Sequence, residues 1–382
     1  MIVQRDVGGK RPSRGQLKTF ARGKAIRSTL HEPTLFSVRD RTDESPRAHQ
    51  EPAYAFLDRA AGTHWERVRG ELDGWFARLP AAARADLRNR FAQDAELDHA
   101  GAFWELWVHE AHRRRGFEVT VNIGCEAGER RQDFVLARGR ERCWLEATVV
   151  GGDSPLSFTE RRLDEQLRDI VATVRAPRFS LALEVVKYGA CSPGRRRIVP
   201  PLERWLGSLD PRELRAPTVR RLSFDDWVVD VEAIALGHAD ARASGCAQLM
   251  PRGAGGGSAV NDVRPPRRKI KKKAARYGAL DRPYLLAVLA LGDAVRERDV
   301  EHALLGDGAV GRDHAVWLGP GGPCNTRLSG VLVARGLRST DPLSSATAAP
   351  ALWQNPWALR PLGLALPWRD AVAASARTAA VA

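Results

Sequence analysis

Residues 130–150, RRQDFVLARGRERCWLEATVV, set the tightest limit on what this chain can fold into. Two apolar runs of strand character, QDFVLAR and CWLEATVV, are joined through the turn-forming ARGRERC. Each run carries one carboxylate, Asp133 in the first and Glu146 in the second. An acid inside a buried strand is costly to desolvate unless it is paired, hydrogen-bonded or bound to a metal. A hairpin lets two adjacent antiparallel strands bring both acids to one end of a sheet. There a hard divalent cation such as Mg²⁺ or Mn²⁺, which prefers oxygen ligands, relieves their repulsion. The alternative is a strand-end pair of solvated or Arg-paired acids.

The flanking pattern predicts an α/β protein. GAFWELWVHEAHRRRG, 101–116, reads as an amphipathic helix, with Phe103, Trp104, Trp107, Val108 and Ala111 on one stripe and Gly116 closing it. Glu105 lies off that stripe, as a site residue or an ordinary surface acid, and Glu110 lies nearer to it as a second candidate. FEVTVNI forms a first strand ahead of the hairpin. After a Gly/Asp/Ser/Pro break come a charged helix over 158–174 and a strand over 179–189. Helix, three strands, helix and strand then build one sheet within a core spanning 100–190.

Around this core, residues 1–50 are basic and polar and are expected to be a disordered arm, with eight cations and one acid in the first 30. Residues 51–99 read as helical, with Thr63 as an N-cap paired with Glu66 and Pro80 opening the last helix. Residues 200–310 form an α/β extension. It holds a helix at PPLERWLGSL, a strand at DWVVDVEAIAL (226–236), a Gly/Pro-rich mobile loop over 244–266, a buried strand at PYLLAVLALGD (283–293) and a short helix at RDVEHALLG. The segment 311–382, rich in Pro, Gly and Ala, is irregular.

Charge narrows the class of partner. With 60 Lys+Arg against 46 Asp+Glu, the net +14 favours polyanions, nucleic acid ahead of an anionic membrane. The excess is densest in RRKIKKKAARYG. Arg267, Arg268, Lys269, Lys271, Lys272, Lys273 and Arg276 are therefore expected to form a phosphate-tracking surface, against the plainer reading of a solvated basic helix. No helix-turn-helix, zinc-finger or RNA-binding aromatic signature accompanies it. Five cysteines without a C-x-x-C pair, no apolar leader and no run of 18 apolar residues point to a reduced, cytoplasmic protein that does not cross a membrane. His109 and His112 flank Glu110 in HEAH, which lacks the spacing of a zinc-protease helix, and the glycine clusters RGAGGGS and GPGGPC lack a nucleotide-cradling pattern.

These residues resemble the PD-(D/E)XK nuclease superfamily, with its restriction-endonuclease-like core of helix, three-stranded hairpin sheet, helix and strand. Helix 101–116 looks like the first helix of Mrr-like restriction nucleases, with QDF at the Asp strand and LEAT at the (D/E)XK strand. The resemblance implies that Asp133 and Glu146 ligate Mg²⁺ (or Mn²⁺), that Glu105 assists, and that Gln166 on the next helix is the polar residue some members place near the metal. It implies a DNA endonuclease of defence, restriction or repair, and it allows a homodimer. One position departs: Thr148 stands where active members carry the Lys that orients the attacking water. Thr supplies a hydrogen bond but no cation. Either a nearby Arg such as Arg131 substitutes, or the protein is an inactive nuclease fold that binds nucleic acid without cutting it. The whole chain also looks like a family of uncharacterised bacterial proteins sharing FWEL…LEAT and YLLAV…DVEHALLG blocks.

Overall fold

The computed structural model describes residues 34–121, 132–151, 158–214, 216–236, 245–250, 264–291, 295–306, 315–342 and 349–371. Four helices come first: α1 (Ala53–Arg59), α2 (Thr63–Ala77), α3 (Ala81–Phe91) and α4 (Glu96–Arg114). The expected N-cap at Thr63 is displaced by one residue. Gly62, at φ +101°, takes the cap, and Thr63 is the first helical residue without a side-chain cap bond. Helix α4 begins five residues ahead of the expected start and ends as predicted. Gly116 lies at φ +80°, its N–H reaching Arg113 O (3.0 Å) while the Phe117 N–H reaches His112 O (3.2 Å), a Schellman closure.

Beyond α4 the main sheet starts with β1 (Glu118–Val121), β2 (Phe134–Arg138) and β3 (Glu141–Val150), an antiparallel meander. The chain then leaves this sheet. Helix α5 (Phe158–Val171), strand β4 (Phe179–Lys187), helix α6 (Arg195–Gly207) and strands β5 (Thr218–Phe224), β6 (Trp227–Ala235) and β7 (Gln248–Met250) build a second sheet of order β5-β6-β4-β7. That sheet closes its own apolar core with α5 and α6 through Leu167, Leu181, Leu202, Trp205 and Val231. After residues 251–263, outside the described residues with most of the loop expected at 244–266, come helix α7 (Arg264–Ala274) and strand β8 (Tyr284–Ala290). Helix α8 (Glu297–Leu305), a small hairpin of β9 (Leu318–Gly319) and β10 (Gly322–Pro323), and strands β11 (Gly330–Arg335), β12 (Ala351–Gln354) and β13 (Arg369–Asp370) complete the described chain.

Three expectations need correction. The helix and strand of 158–189 exist, but they belong to the second sheet. The neighbour of β3 is β8, parallel to it with Glu146 opposite Leu286 and Thr148 opposite Val288. Physically, β8 is buried at all seven positions and needs cover on both faces, whereas β4 is exposed or half-exposed over its last four residues. The irregular segment 311–382 contributes β11, β12 and β13 to the same seven-stranded sheet, of order β1-β2-β3-β8-β11-β12-β13. Residues 34–50, placed in a disordered arm, carry Leu35 and Phe36 fully into the main core, and Arg41 bonds Asp58 Oδ1 (3.1 Å). Residues 1–33 lie outside the described residues.

Strand alternation divides the main sheet into two faces. Leu145, Ala147 and Val149, with Leu285, Ala287 and Leu289, pack against the α2–α4 layer, and the Trp104 indole N–H donates to Ala287 O (3.0 Å). Tyr284, Leu286, Val288 and Val150 face the other way, against Ile270, Ala274 and Tyr277 of the α7 segment and Val300 and Leu304 of α8. Among the described residues no helix is long and apolar enough to cross a membrane.

Candidate active site

The β2–β3 hairpin turns at Gly139 (φ +61°) and Arg140, which fixes the register Phe134↔Leu145. Asp133 immediately precedes β2 beside the Phe134↔Leu145 pair, and Glu146, next to Leu145 in β3, faces α7. Asp133 Oδ2 accepts the Ala147 N–H (2.8 Å), pinning its carboxyl at the start of β2 against the next strand. Burial pushes the Asp133 carboxyl up to about 7. The Glu105 and Glu146 charges add to the rise, which the Ala147 bond and Lys273 oppose only in part.

Glu146 is 1% exposed and is surrounded by donors. Lys273 Nζ and Arg276 Nη1 (3.0 Å) both bond Oε1, and the Tyr284 hydroxyl donates to Oε2 (3.1 Å). The Tyr277 hydroxyl is a further donor to the same carboxylate. A carboxylate offers about four lone-pair sites, so these four donors suffice to occupy it. Burial first, and then Glu146 (by hydrogen bond and charge at Tyr277, by charge first at Tyr284), push both phenols well above the usual tyrosine range. The geometry follows from the sheet: Trp144 pairs with Tyr284, so Tyr284 is the diagonal neighbour of Glu146 on the same face. Helix α7 supplies the cation because Ile270 and Ala274 dock its apolar stripe on that face and carry Lys273 with them.

The other expected site residues divide. Thr148 lies on β3 two residues past Glu146 and is only 7% exposed. Glu105 is held by Arg90 through two bonds (2.8 and 2.7 Å), and its charge is felt at Asp133. Gln166 sits on α5, in the second sheet's layer. Its Oε1 is buried without a hydrogen-bond partner, and among the described residues no hydrogen bond or ion pair joins it to Asp133 or Glu146. Glu110 is a structural acid: burial alone would raise it, but bonds from Arg113, Arg78 and Arg114 hold it at about 2. Arg131 lies outside the described residues.

The basic cluster also divides. Arg268, Lys269 and Lys272 are exposed and Arg267 and Lys271 half-buried, whereas Lys273 and Arg276, expected on the nucleic-acid surface, turn to Glu146. Sequence reasoning missed this, although a signal existed. Lys273 is three residues after Ile270 and next to Ala274, spacings on α7 that set it beside the buried stripe. Tyr277, in a basic stretch, and Tyr284, in an apolar run, were missed because neither setting shows what a buried hydroxyl meets.

Among the described residues no cluster of three or more His, Cys, Asp and Glu side chains forms a ready-made metal site. The donor chemistry around Asp133 nonetheless suits a hard cation. Asp133 lies within reach of the Glu146 and Glu105 charges, and its carboxyl is given one neutral donor, the Ala147 N–H. No family model, curated protein or solved structure matches the chain.

Proposed function

We propose that this chain is a Mg²⁺- or Mn²⁺-dependent nuclease acting on DNA, built on a restriction-endonuclease-like core. The observation that carries this reading is Asp133 bonded to the Ala147 N–H, next to Glu146 in β3, with Lys273 on Glu146. A PD-(D/E)XK site needs two acids and a cation. Here the cation absent at Thr148 comes from α7 instead. The order α4, β1, β2, β3, α7, β8, with 158–250 between β3 and α7, supports a core of helix, three strands, helix and strand.

Asp133 and Glu146 would hold the metal, with Glu105 next to them. When bound, the ion polarises a phosphoryl oxygen and lowers the pKa of water. Lys273 and Arg276 supply positive charge for the phosphate being cleaved, and Arg276 offers a planar fork suited to it. The exposed cations of α7 track the flanking phosphates and raise the local concentration of substrate. Asp133 must lose its proton to act as a ligand, so cation binding strengthens as pH rises through about 7.

A second reading has its own support. The donors from Lys273, Arg276, Tyr284 and Tyr277 satisfy Glu146 without any metal, as expected of a nuclease fold that binds nucleic acid and does not cut it. Plasmid nicking with Mg²⁺ or Mn²⁺ separates the two. The nuclease nicks, and Asp133→Asn and Glu146→Gln each abolish nicking while DNA binding remains. Salt-sensitive binding with no nicking under either metal selects the second reading.

A further inference from the structure

We propose that Lys273 and Arg276 form a displaceable latch on Glu146, released when nucleic-acid phosphates draw both side chains away, so that phosphodiester and divalent cation bind with positive coupling. The inference rests on the metal-site reading above and adds the order and interdependence of binding.

Glu146 Oε1 accepts from both Lys273 and Arg276, so a cation reaches that oxygen only if at least one donor withdraws. A carboxylate 1% exposed cannot be left without a counter-charge, because an uncompensated buried ion is strongly disfavoured. The exchange must therefore be cation for cation: withdrawal of the ammonium and arrival of the divalent ion favour one another.

Lys273 and Arg276 belong to one segment, the last turn of α7 and the residues just after it, whose outer face exposes Arg268, Lys269 and Lys272. A polyanion attracted to that face meets the latch residues next. The Arg276 side chain is 40% exposed and the Lys273 side chain 18%, so both have a route to solvent and to a phosphate there. The two phenols do not: Tyr284 is fully buried and Tyr277 nearly so. They remain as neutral donors that hold Glu146 in place during the exchange.

By reciprocity, whatever the phosphate does for cation affinity the cation does for phosphate affinity. The test is a Mn²⁺ titration of the full chain by electron paramagnetic resonance, corrected for Mn²⁺ held by DNA alone. It is run without DNA, with a cleavage-resistant phosphorothioate duplex, and with an uncharged methylphosphonate duplex of the same sequence. The latch requires the charged duplex to tighten Mn²⁺ binding by about tenfold, within the usual range of such couplings, and the uncharged duplex to leave it unchanged. Lys273→Gln, or Arg276→Gln if the first variant does not fold, must bind Mn²⁺ more tightly than the wild type without DNA and show weaker coupling. Equal Mn²⁺ affinity with and without the charged duplex overturns the latch and leaves the nuclease reading standing. Absence of Mn²⁺ binding in every arm removes both.

Discussion

Lys273, on the last turn of α7, donates its ammonium to Glu146 Oε1 on β3, joining positions 127 residues apart in the chain. Arg276 reaches the same oxygen at 3.0 Å, so the most buried acid of the candidate site is neutralised from one short segment. Removing both cations strands a buried carboxylate. The double variant Lys273→Ala/Arg276→Ala is expected to lose about 3–5 kcal/mol of unfolding free energy in urea titrations. Arg276→Ala alone, removing the more exposed partner, is expected to cost about 1 kcal/mol or less. A double variant as stable as wild type would show that Glu146 does not depend on the pair.

Asp133 is expected to titrate near neutrality. Its folded pKa, about 7, lies above the ordinary 3.8, so the folded state holds a proton that the unfolded chain releases. The stability it permits is complete below 3.8 and falls as pH rises toward 7, by up to about 4 kcal/mol. Asp133→Asn should remove this part of the pH dependence, measured as the difference between pH 5 and pH 8 in chemical unfolding. Mn²⁺ added at pH 6 should release a proton from the wild type and not from the variant.

His112 has the opposite sign. Burial holds it at about 4. The ring proton sits on Nδ1, which donates to Val108 O (2.8 Å), while the Trp368 indole N–H donates to Nε2 (3.2 Å). A histidine whose folded pKa is depressed contributes fully above about 6.5 and loses that contribution as pH falls toward 4, about 3 kcal/mol at most. Nitrogen chemical shifts should report a neutral Nδ1–H tautomer down to about pH 4. An imidazolium signal at pH 6 would contradict the packing described.

The outer face of α7 is expected to contribute through phosphates alone. Lys269→Ala/Lys272→Ala should weaken binding to unrelated DNA sequences alike and flatten the plot of log affinity against log salt by about 0.9 per lysine. Unchanged salt dependence would move the nucleic-acid surface elsewhere.

Local patterning made much of this fold readable before the structure. The stripe of α4, its Gly116 closure, the β2–β3 hairpin and strands β6 and β8 follow from periodicity and turn residues, which act within a few positions. Sheet partners are not local. Nothing in QDFVLAR or CWLEATVV states that the next strand is β8 and not β4, because parallel neighbours are chosen by burial on both faces across a long insertion. The site was legible to the same degree. Asp133 and Glu146 stand out as acids in apolar strands, whereas Lys273, Arg276, Tyr277 and Tyr284 meet Glu146 only through tertiary packing. Gln166 was named from the resemblance, on the helix expected to follow the third strand, and that helix, α5, packs on the second sheet.

The most direct measurement is the initial rate of supercoiled-plasmid nicking in Mg²⁺ by wild type and by Lys273→Gln, with DNA affinity measured beside it. The account predicts a wild type that nicks and a variant slower by about a hundredfold or more, the usual loss when a charge-stabilising donor is removed, with affinity little changed. A wild type that nicks under no divalent metal, or a Lys273→Gln variant that cuts as fast as wild type, would contradict it.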